Sequence, residues 1–381
     1  MKTARLFWLT PALALALAGC KKDSGAPVGQ NDDVPVTCQS CHQAVYEEWQ
    51  QSMHAMAHHS KDALYASFRE VRIGKEGLQI ATACAGCHSP RGVDAPDGPA
   101  AMTGVACAAC HQLDAVRADA KGAKALVRAA PGTFRGPHDT PKESGPHQGG
   151  PALPAIADGK SLCLACHSEL KTPNGTPLCS TGMEAAAGED ATCVSCHMPE
   201  VEGPSGNLTQ RTTHRSHRFV GPRGTWEAPE AFGKFMDTAV DLKVKVLDPG
   251  TVEVTVANTS QHAFPSGFPG RLAWISVDAL DEAGTVTATL AKAMLDKQYV
   301  DAEGKPALPP YSASLKADNR IQGGQQKVLT VALKGDPAKV RAQVGLRLMP
   351  PPLAKMMKME GSVLATPRVV KEVVVEVGAK E

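Results

Sequence analysis

Apolar residues follow three rhythms along this 381-residue chain. Leu6 to Ala18 form one predominantly apolar run of 13 residues behind Lys2 and Arg5. From about residue 36 to 235 the apolar positions are scattered and interrupted by Gly and Pro. There only residues 43–59 read as helical, with Tyr46, Trp49 and Met53 at helical spacing. Strict alternation begins at Ala239. Val240, Leu242, Val244 and Val246 share one face, Asp248-Pro249-Gly250 makes a turn, and Val252, Val254 and Val256 alternate again. This predicts a hairpin. Further strands are predicted over 271–279, 285–290, 327–333, 338–348 and 367–377. Short strands separated by Gly/Pro turns imply an antiparallel sandwich. The pattern therefore predicts an α+β multidomain chain. A leader (1–19) and a linker (20–35) precede a loop-rich domain with helix (36–235), and an antiparallel β-sandwich (236–381) follows.

The leading apolar run is too short to span a bilayer and reads as an export signal. It ends in Leu17-Ala18-Gly19-Cys20, which resembles a bacterial lipobox. That implies cleavage before Cys20 and lipidation of its sulfur, and several acyl chains on one residue anchor stably where one holds marginally. Lys21, rather than Asp, follows and hints at the outer membrane. The expectation is an exported protein, lipid-anchored on the periplasmic side of the outer membrane or on the cell surface.

Composition changes the picture of the 36–235 domain. Aromatic residues make up 4% of the chain, while Gly (35) and Pro (29) abound. Something other than aromatic side chains must fill the core. The net charge of +1 gives no reason to expect a nucleic-acid partner. Twelve cysteines are too many for a reduced cytosolic protein.

Ten of those cysteines form five C-x-x-C-H motifs: Cys38/Cys41/His42, Cys84/Cys87/His88, Cys107/Cys110/His111, Cys163/Cys166/His167 and Cys193/Cys196/His197. Two thiols three residues apart match the two vinyl groups of one haem, and the adjacent imidazole falls beneath the iron as its proximal ligand. Zinc knuckles would not require a histidine after every pair. The expected cofactor is haem c, five groups covalently attached. At that density the haems themselves are expected to form much of the core. Besides Cys20, only Cys179 is left over, expected to be a small buried residue.

Five irons need at most five distal ligands, and eight histidines remain. His54 lies too far along the predicted 43–59 helix to cap the haem of His42, so it is expected to cap a neighbouring one. His58 shares its helix face and is a further candidate, ahead of His59. The Pro/Gly-rich loop 136–147 is expected to supply His147 in preference to His138. After the last motif, His217 is favoured over His214. In the sandwich, His262 sits in a rigid Pro/Gly loop that can reach across to an iron. Met349, Met356, Met357 and Met359 are expected to pack beneath the sandwich.

The first motif followed by Tyr46, Trp49, Ser52 and His54 resembles the start of multihaem cytochromes of the cytochrome c-554 type. The closing Cys193-Val-Ser-Cys-His-Met-Pro199 and the preceding Asn174–Glu184 segment resemble that group too, although Ala185 stands where a tryptophan usually follows. Gln261-His-Ala-Phe-Pro-Ser-Gly267 resembles a G-H-x-F-P-T-G turn of multihaem cytochromes, with departures at Gln261 and Ser266. The resemblance covers about residues 36 to 220. It implies a mainly helical, loop-rich fold for the 36–235 domain, haems in stacked pairs and a role in electron transfer between redox proteins. If every iron is His/His-ligated, low potentials are expected. The alternative is a reductase or oxidase of a small nitrogen or sulfur oxyanion, which needs one haem with an open site.

Overall fold

The computed structural model describes residues 33–142, 145–185, 193–248 and 250–377. The leader and Cys20 lie outside the described residues. No helix among the described residues is long and apolar enough to cross a membrane.

The N-terminal half is short helices joined by loops. Four of the five motifs end a helix: Gln79–His88, Cys107–His111, Ser161–His167 and Cys193–His197. The first begins in the single turn Val36–Gln39, and the His42 amide donates to the Cys38 carbonyl. Helical winding puts the two cysteines and the histidine of each motif on neighbouring positions of one face. Two small antiparallel ribbons brace the loops: β1 (Leu113–Val116) with β2 (Leu126–Arg128), and β3 (Glu200–Glu202) with β4 (Thr213–Arg215). The longest helix, Ala63–Glu76, starts where the Asp62 carboxylate accepts the Leu64 amide and stops at Gly77, whose φ of 84° lies in the left-handed region.

The predicted 43–59 helix is only half right. Helix runs over Gln43–Gln50, and the chain then breaks into turns. Ser52 is buried there and its hydroxyl accepts the Ala55 amide. A serine that captures a local backbone donor competes with helix continuation.

The C-terminal half is an antiparallel sandwich. One sheet has the order β11-β6-β5 and the other β13-β12-β7-β8, built from β5 (Val240–Asp248), β6 (Thr251–Asn258), β7 (Leu272–Leu280), β8 (Val286–Leu295), β11 (Gln326–Ala332), β12 (Lys339–Arg347) and β13 (Arg368–Glu376). The expected hairpin pairs Val244 with Val254. Val252, Val254 and Val256 of one sheet meet Ile275, Val277, Val340 and Val344 of the other in a single buried core. Trp226, Phe232 and Met236 belong to that core, so its apolar packing begins before residue 236. Met349, Met357 and Met359 are buried in it and Met356 packs against it, as their spacing predicts.

The alternation does not reveal a second ribbon, β9 (Lys297–Val300) with β10 (Ser314–Asp318). It docks the sandwich on the N-terminal half. The Tyr299 hydroxyl donates to the Pro177 carbonyl (3.0 Å), the Lys297 ammonium to the Leu178 carbonyl (3.0 Å), and the Asn174 amide to the Ala313 carbonyl (2.9 Å). Elsewhere in the contact, Phe68 meets Phe268 edge-on.

Ile275→Ala should lower unfolding stability by about 2–5 kcal/mol, because the side chain is fully buried in the sandwich. Denaturant titration followed by far-ultraviolet circular dichroism tests this.

Candidate metal centres

Four of the five motif histidines are backed by a backbone carbonyl. The Nδ1 atoms of His42, His88, His111 and His197 lie 2.7, 3.1, 2.8 and 2.6 Å from the carbonyls of Ser205, Ala57, Arg135 and Val220. A carbonyl only accepts, so Nδ1 carries the proton and Nε2 keeps its lone pair. That is the tautomer a metal ligand needs, with its ring orientation fixed from behind.

Four motif histidines face a second imidazole. Ring centroids are 6.4 Å apart for His42 and His147, 6.2 Å for His167 and His54, 6.2 Å for His111 and His217, and 6.4 Å for His197 and His262. Two imidazoles on opposite faces of one metal, each with a bond of about 2 Å, would have centroids roughly 6 Å apart. Direct ring stacking would bring them much closer, as the 3.8 Å between Tyr65 and His88 illustrates.

The facing histidines come from the segments predicted to supply them. His54 lies in the turn after the Gln43–Gln50 helix. Its carbonyl accepts the Val105 amide (2.9 Å), and the Trp49 indole donates to the Val105 carbonyl (2.8 Å). The segment just before Cys107 thus straps His54 in place. His54 faces His167, not His42, as expected for a cross-linking ligand, although a turn rather than a long helix carries it there. His147 sits on a loop held by a bridge between Thr133 and Gln148. The Glu48 carboxylate accepts the His217 amide (2.8 Å). His262 crosses from the sandwich in the loop between β6 and β7.

The other histidines do otherwise. His58, a candidate ligand from its spacing, needs correction: it is buried, with Nε2 donating to the Pro96 carbonyl (2.9 Å) and Nδ1 taken by Ser60. Both its ring nitrogens are committed. His59 pairs with Asp97 (3.2 Å), which also lies by Arg69. His214 turns to the Gly203 carbonyl and Glu48, and His138 is exposed.

The motif thiols do not all lie inside. The Cys107 thiol meets Cys38, Cys166 meets Cys87, and Cys163 meets Cys193. Cys196 is exposed, and the other nine motif thiols are half-buried. The sulfurs of Cys196 and Cys41 accept long hydrogen bonds, 3.9 Å each, from the hydroxyls of the preceding serines, Ser195 and Ser40. Cys196 is the second cysteine of the last motif, so a cofactor held there would have an edge at the surface. Cys179 is likewise only half-buried, its sulfur 3.5 Å from the Thr181 hydroxyl, against the expectation of full burial.

All thirteen histidines are thereby placed, and none of the remaining ones faces His88; Tyr65 stacks on its ring instead. Neither Tyr65 nor Phe219 stands out as a site residue in the sequence. Phe219 wedges between two facing imidazoles, its ring 4.2 Å from His54 and 5.7 Å from His217, at a φ of 47° that is rare for a bulky residue. No local motif flags either position.

The electrostatics suit metal binding. Burial, reinforced by neighbouring imidazoles, lowers His54 to about 3; burial and His111 lower His217 to about 4. Burial also lowers His88, His111, His147, His167 and His262. All seven stay neutral at neutral pH, the form that ligates. Several buried donors lack a protein partner: Nδ1 of His54, Nη1 of Arg91, and Nε of Arg135 and Arg223. Buried guanidinium N–H groups of this kind fit the carboxylates of a large anionic cofactor. Paired thiols, facing imidazoles and unmatched cations together fit haem.

Comparison with known proteins agrees with this geometry. Residues 37–112 match the family model described as cytochrome c554 and c-prime. A penta-haem cytochrome c552 from Thermochromatium tepidum superposes with a TM-score of 0.76 at 22% identity, over 91% of this chain and 99% of that one. The fold is that of a multihaem c-type cytochrome. A superoxide reductase (neelaredoxin) from Archaeoglobus fulgidus, in the reduced form, shares 15% identity over 28% of this chain and 76% of its own, but its TM-score of 0.17 carries no argument. No curated protein matches the chain.

Gly104 has a φ of 73°, and any Cβ there would collide with the His54 carbonyl. Gly104→Ala should therefore destabilise this multihaem fold by more than about 1 kcal/mol. Thermal melting monitored in the visible band, where His54 would report, tests this against the unsubstituted protein.

Proposed function

We propose that the chain binds five haem c groups at its C-x-x-C-H motifs and passes electrons between redox proteins. The four facing imidazole pairs support this most directly. Cys38/Cys41, Cys84/Cys87, Cys107/Cys110, Cys163/Cys166 and Cys193/Cys196 would hold the porphyrins through thioethers. His42, His88, His111, His167 and His197 would be proximal ligands, and His147, His217, His54 and His262 the distal partners of all but His88. When bound, haem supplies an iron that alternates between ferric and ferrous states, carrying one electron at a time. The protein's part is positional. Carbonyls hold the imidazoles in one tautomer, and ligands on both sides leave no coordination position for substrate. Contacts between motifs set the cofactors close enough for exchange. The surface placement of Cys196 would bring the last haem within reach of partner proteins. Without a methionine ligand to raise them, the potentials of the His/His sites are low.

The His88 site favours a second reading for that position alone. With no histidine opposite it, its iron would be open to a small ligand, as the oxyanion reductase alternative requires. Export and lipidation at Cys20 would place the protein on the periplasmic side of the outer membrane or at the cell surface, within reach of membrane-bound acceptors.

Purified mature protein should give five haems per chain in the alkaline pyridine assay; far fewer, or zinc in their place, would overturn the assignment. His147→Ala, His217→Ala and His54→Ala should each convert about one fifth of the iron from low to high spin in electron paramagnetic resonance. Carbon monoxide should bind the reduced unsubstituted protein at about one equivalent per chain if the His88 site is open. Absence of any binding would count against that second reading and leave the electron-transfer role intact.

A further inference from the structure

His262 is the facing imidazole that belongs to the sandwich, so its position depends on how two halves of the chain are joined. Its loop is held from both sides. From within the sandwich, the Asn258 amide donates to the His262 carbonyl (2.7 Å), and the Ser260 hydroxyl donates to the same oxygen (2.9 Å). Phe264 and Ile321 exchange backbone hydrogen bonds just beyond.

From the other side come a carboxylate and, beside it, the Thr181 hydroxyl, 3.0 Å from that of Ser266. Glu184 lies in the helix Thr181–Ala185 of the motif-bearing half. Its Oε2 accepts the Ala263 amide (3.1 Å) and the Ser266 hydroxyl (2.8 Å), one and four residues beyond His262. Its Oε1 accepts the Ser180 hydroxyl (2.7 Å) and the Arg320 guanidinium (2.9 Å). Arg320 in turn donates to the Pro265 carbonyl (3.2 Å) and pairs with Asp318. The Glu184 and Arg320 side chains are 10% and 7% exposed. A carboxylate this buried, with four donors on two oxygens, has little freedom to move.

We propose that Glu184 is the positioning residue for His262: it ties the amide next to that imidazole to the motif-bearing half and so sets its approach to the iron of His197. This rests on the haem reading above. A negative charge is suited to the task. One carboxylate collects a backbone amide, two hydroxyls and a guanidinium, a set that no neutral side chain accepts with two oxygens. The latch also explains why the sandwich's own loop is not enough. Asn258 and Ser260 fix the His262 carbonyl within the sandwich, but neither relates it to His197.

Glu184→Ala in the full haem-loaded chain should reproduce the His262→Ala spectrum, with about one fifth of the iron turning high-spin and the other sites unchanged. The double variant should be no worse than either single one. Glu184→Gln, which keeps an oxygen for the amide, should retain more of the low-spin signal than Glu184→Ala. Ser266→Ala, which removes that hydroxyl's bonds to Glu184 and Thr181 and leaves the carboxylate in place, should lose that low-spin fraction at a lower temperature than the unsubstituted protein. If Glu184→Ala leaves the low-spin fraction as in the unsubstituted protein, or fails to fold while Ser266→Ala melts its low-spin fraction as the unsubstituted protein does, the positioning role is wrong. If His262→Ala itself leaves the spectrum unchanged, the failure lies in the ligand assignment instead.

Discussion

Two imidazoles can cap the two faces of one flat metal-bearing ring only if they arrive from opposite sides at a fixed spacing, and no short stretch of chain can supply both. Each facing pair therefore joins segments far apart in sequence: residue 42 with 147, 54 with 167, 111 with 217, 197 with 262. These pairings do what an aromatic core does elsewhere. They explain why the motif-bearing half tolerates so many loops and so few large apolar side chains. The cost is a set of buried imidazoles and guanidinium groups that the polypeptide alone does not satisfy. The stability of this half would then depend on its cofactor.

The two halves are built on different physics. The sandwich closes on itself with interdigitated valines and isoleucine from two sheets, and its core is complete without any prosthetic group. The motif-bearing half has only a small cluster of its own around Trp49, Ala55 and Ala106, flanked by Tyr46 and Phe219. Between them lies a polar seam built from Asn174, Thr176, Lys297 and Tyr299 and from the Glu184–Arg320 pair. Polar seams give direction rather than bulk adhesion, which suits a contact whose purpose is to aim one side chain.

What can be read from the sequence follows from range. The C-x-x-C-H sites are local, so five residues state their chemistry completely. They do not state depth: nothing in the motifs distinguishes Cys196, exposed, from Cys107 and Cys163, half-buried. The alternation at 240–246 and 252–256 is also local, and those strands appear where expected. His54, His147, His217 and His262 are recognisable as spare ligands by counting, but which motif each one faces depends on chain packing. His58 misleads because the helix ends at Gln50, before His54, so the two histidines do not share a helix face. The ribbon β9–β10 escapes notice because its strands are short and mixed in polarity, and Pro309 and Pro310 interrupt the segment between them. Tyr65 and Phe219 carry no motif; only their positions against imidazoles give them meaning.

The contacts between motifs have a topological consequence. Cys166 touches Cys87, Cys163 touches Cys193, and Cys110 lies near both Cys163 and Cys166. The fourth motif is thus a crossroads rather than a link in a single file, and the first motif reaches it by way of the third, through Cys38 and Cys107. With redox groups in place as proposed, such a layout would have three termini, at the first, second and fifth motifs. Traffic arriving at any one of them would then have two destinations, and blocking one terminus would leave the route between the other two open.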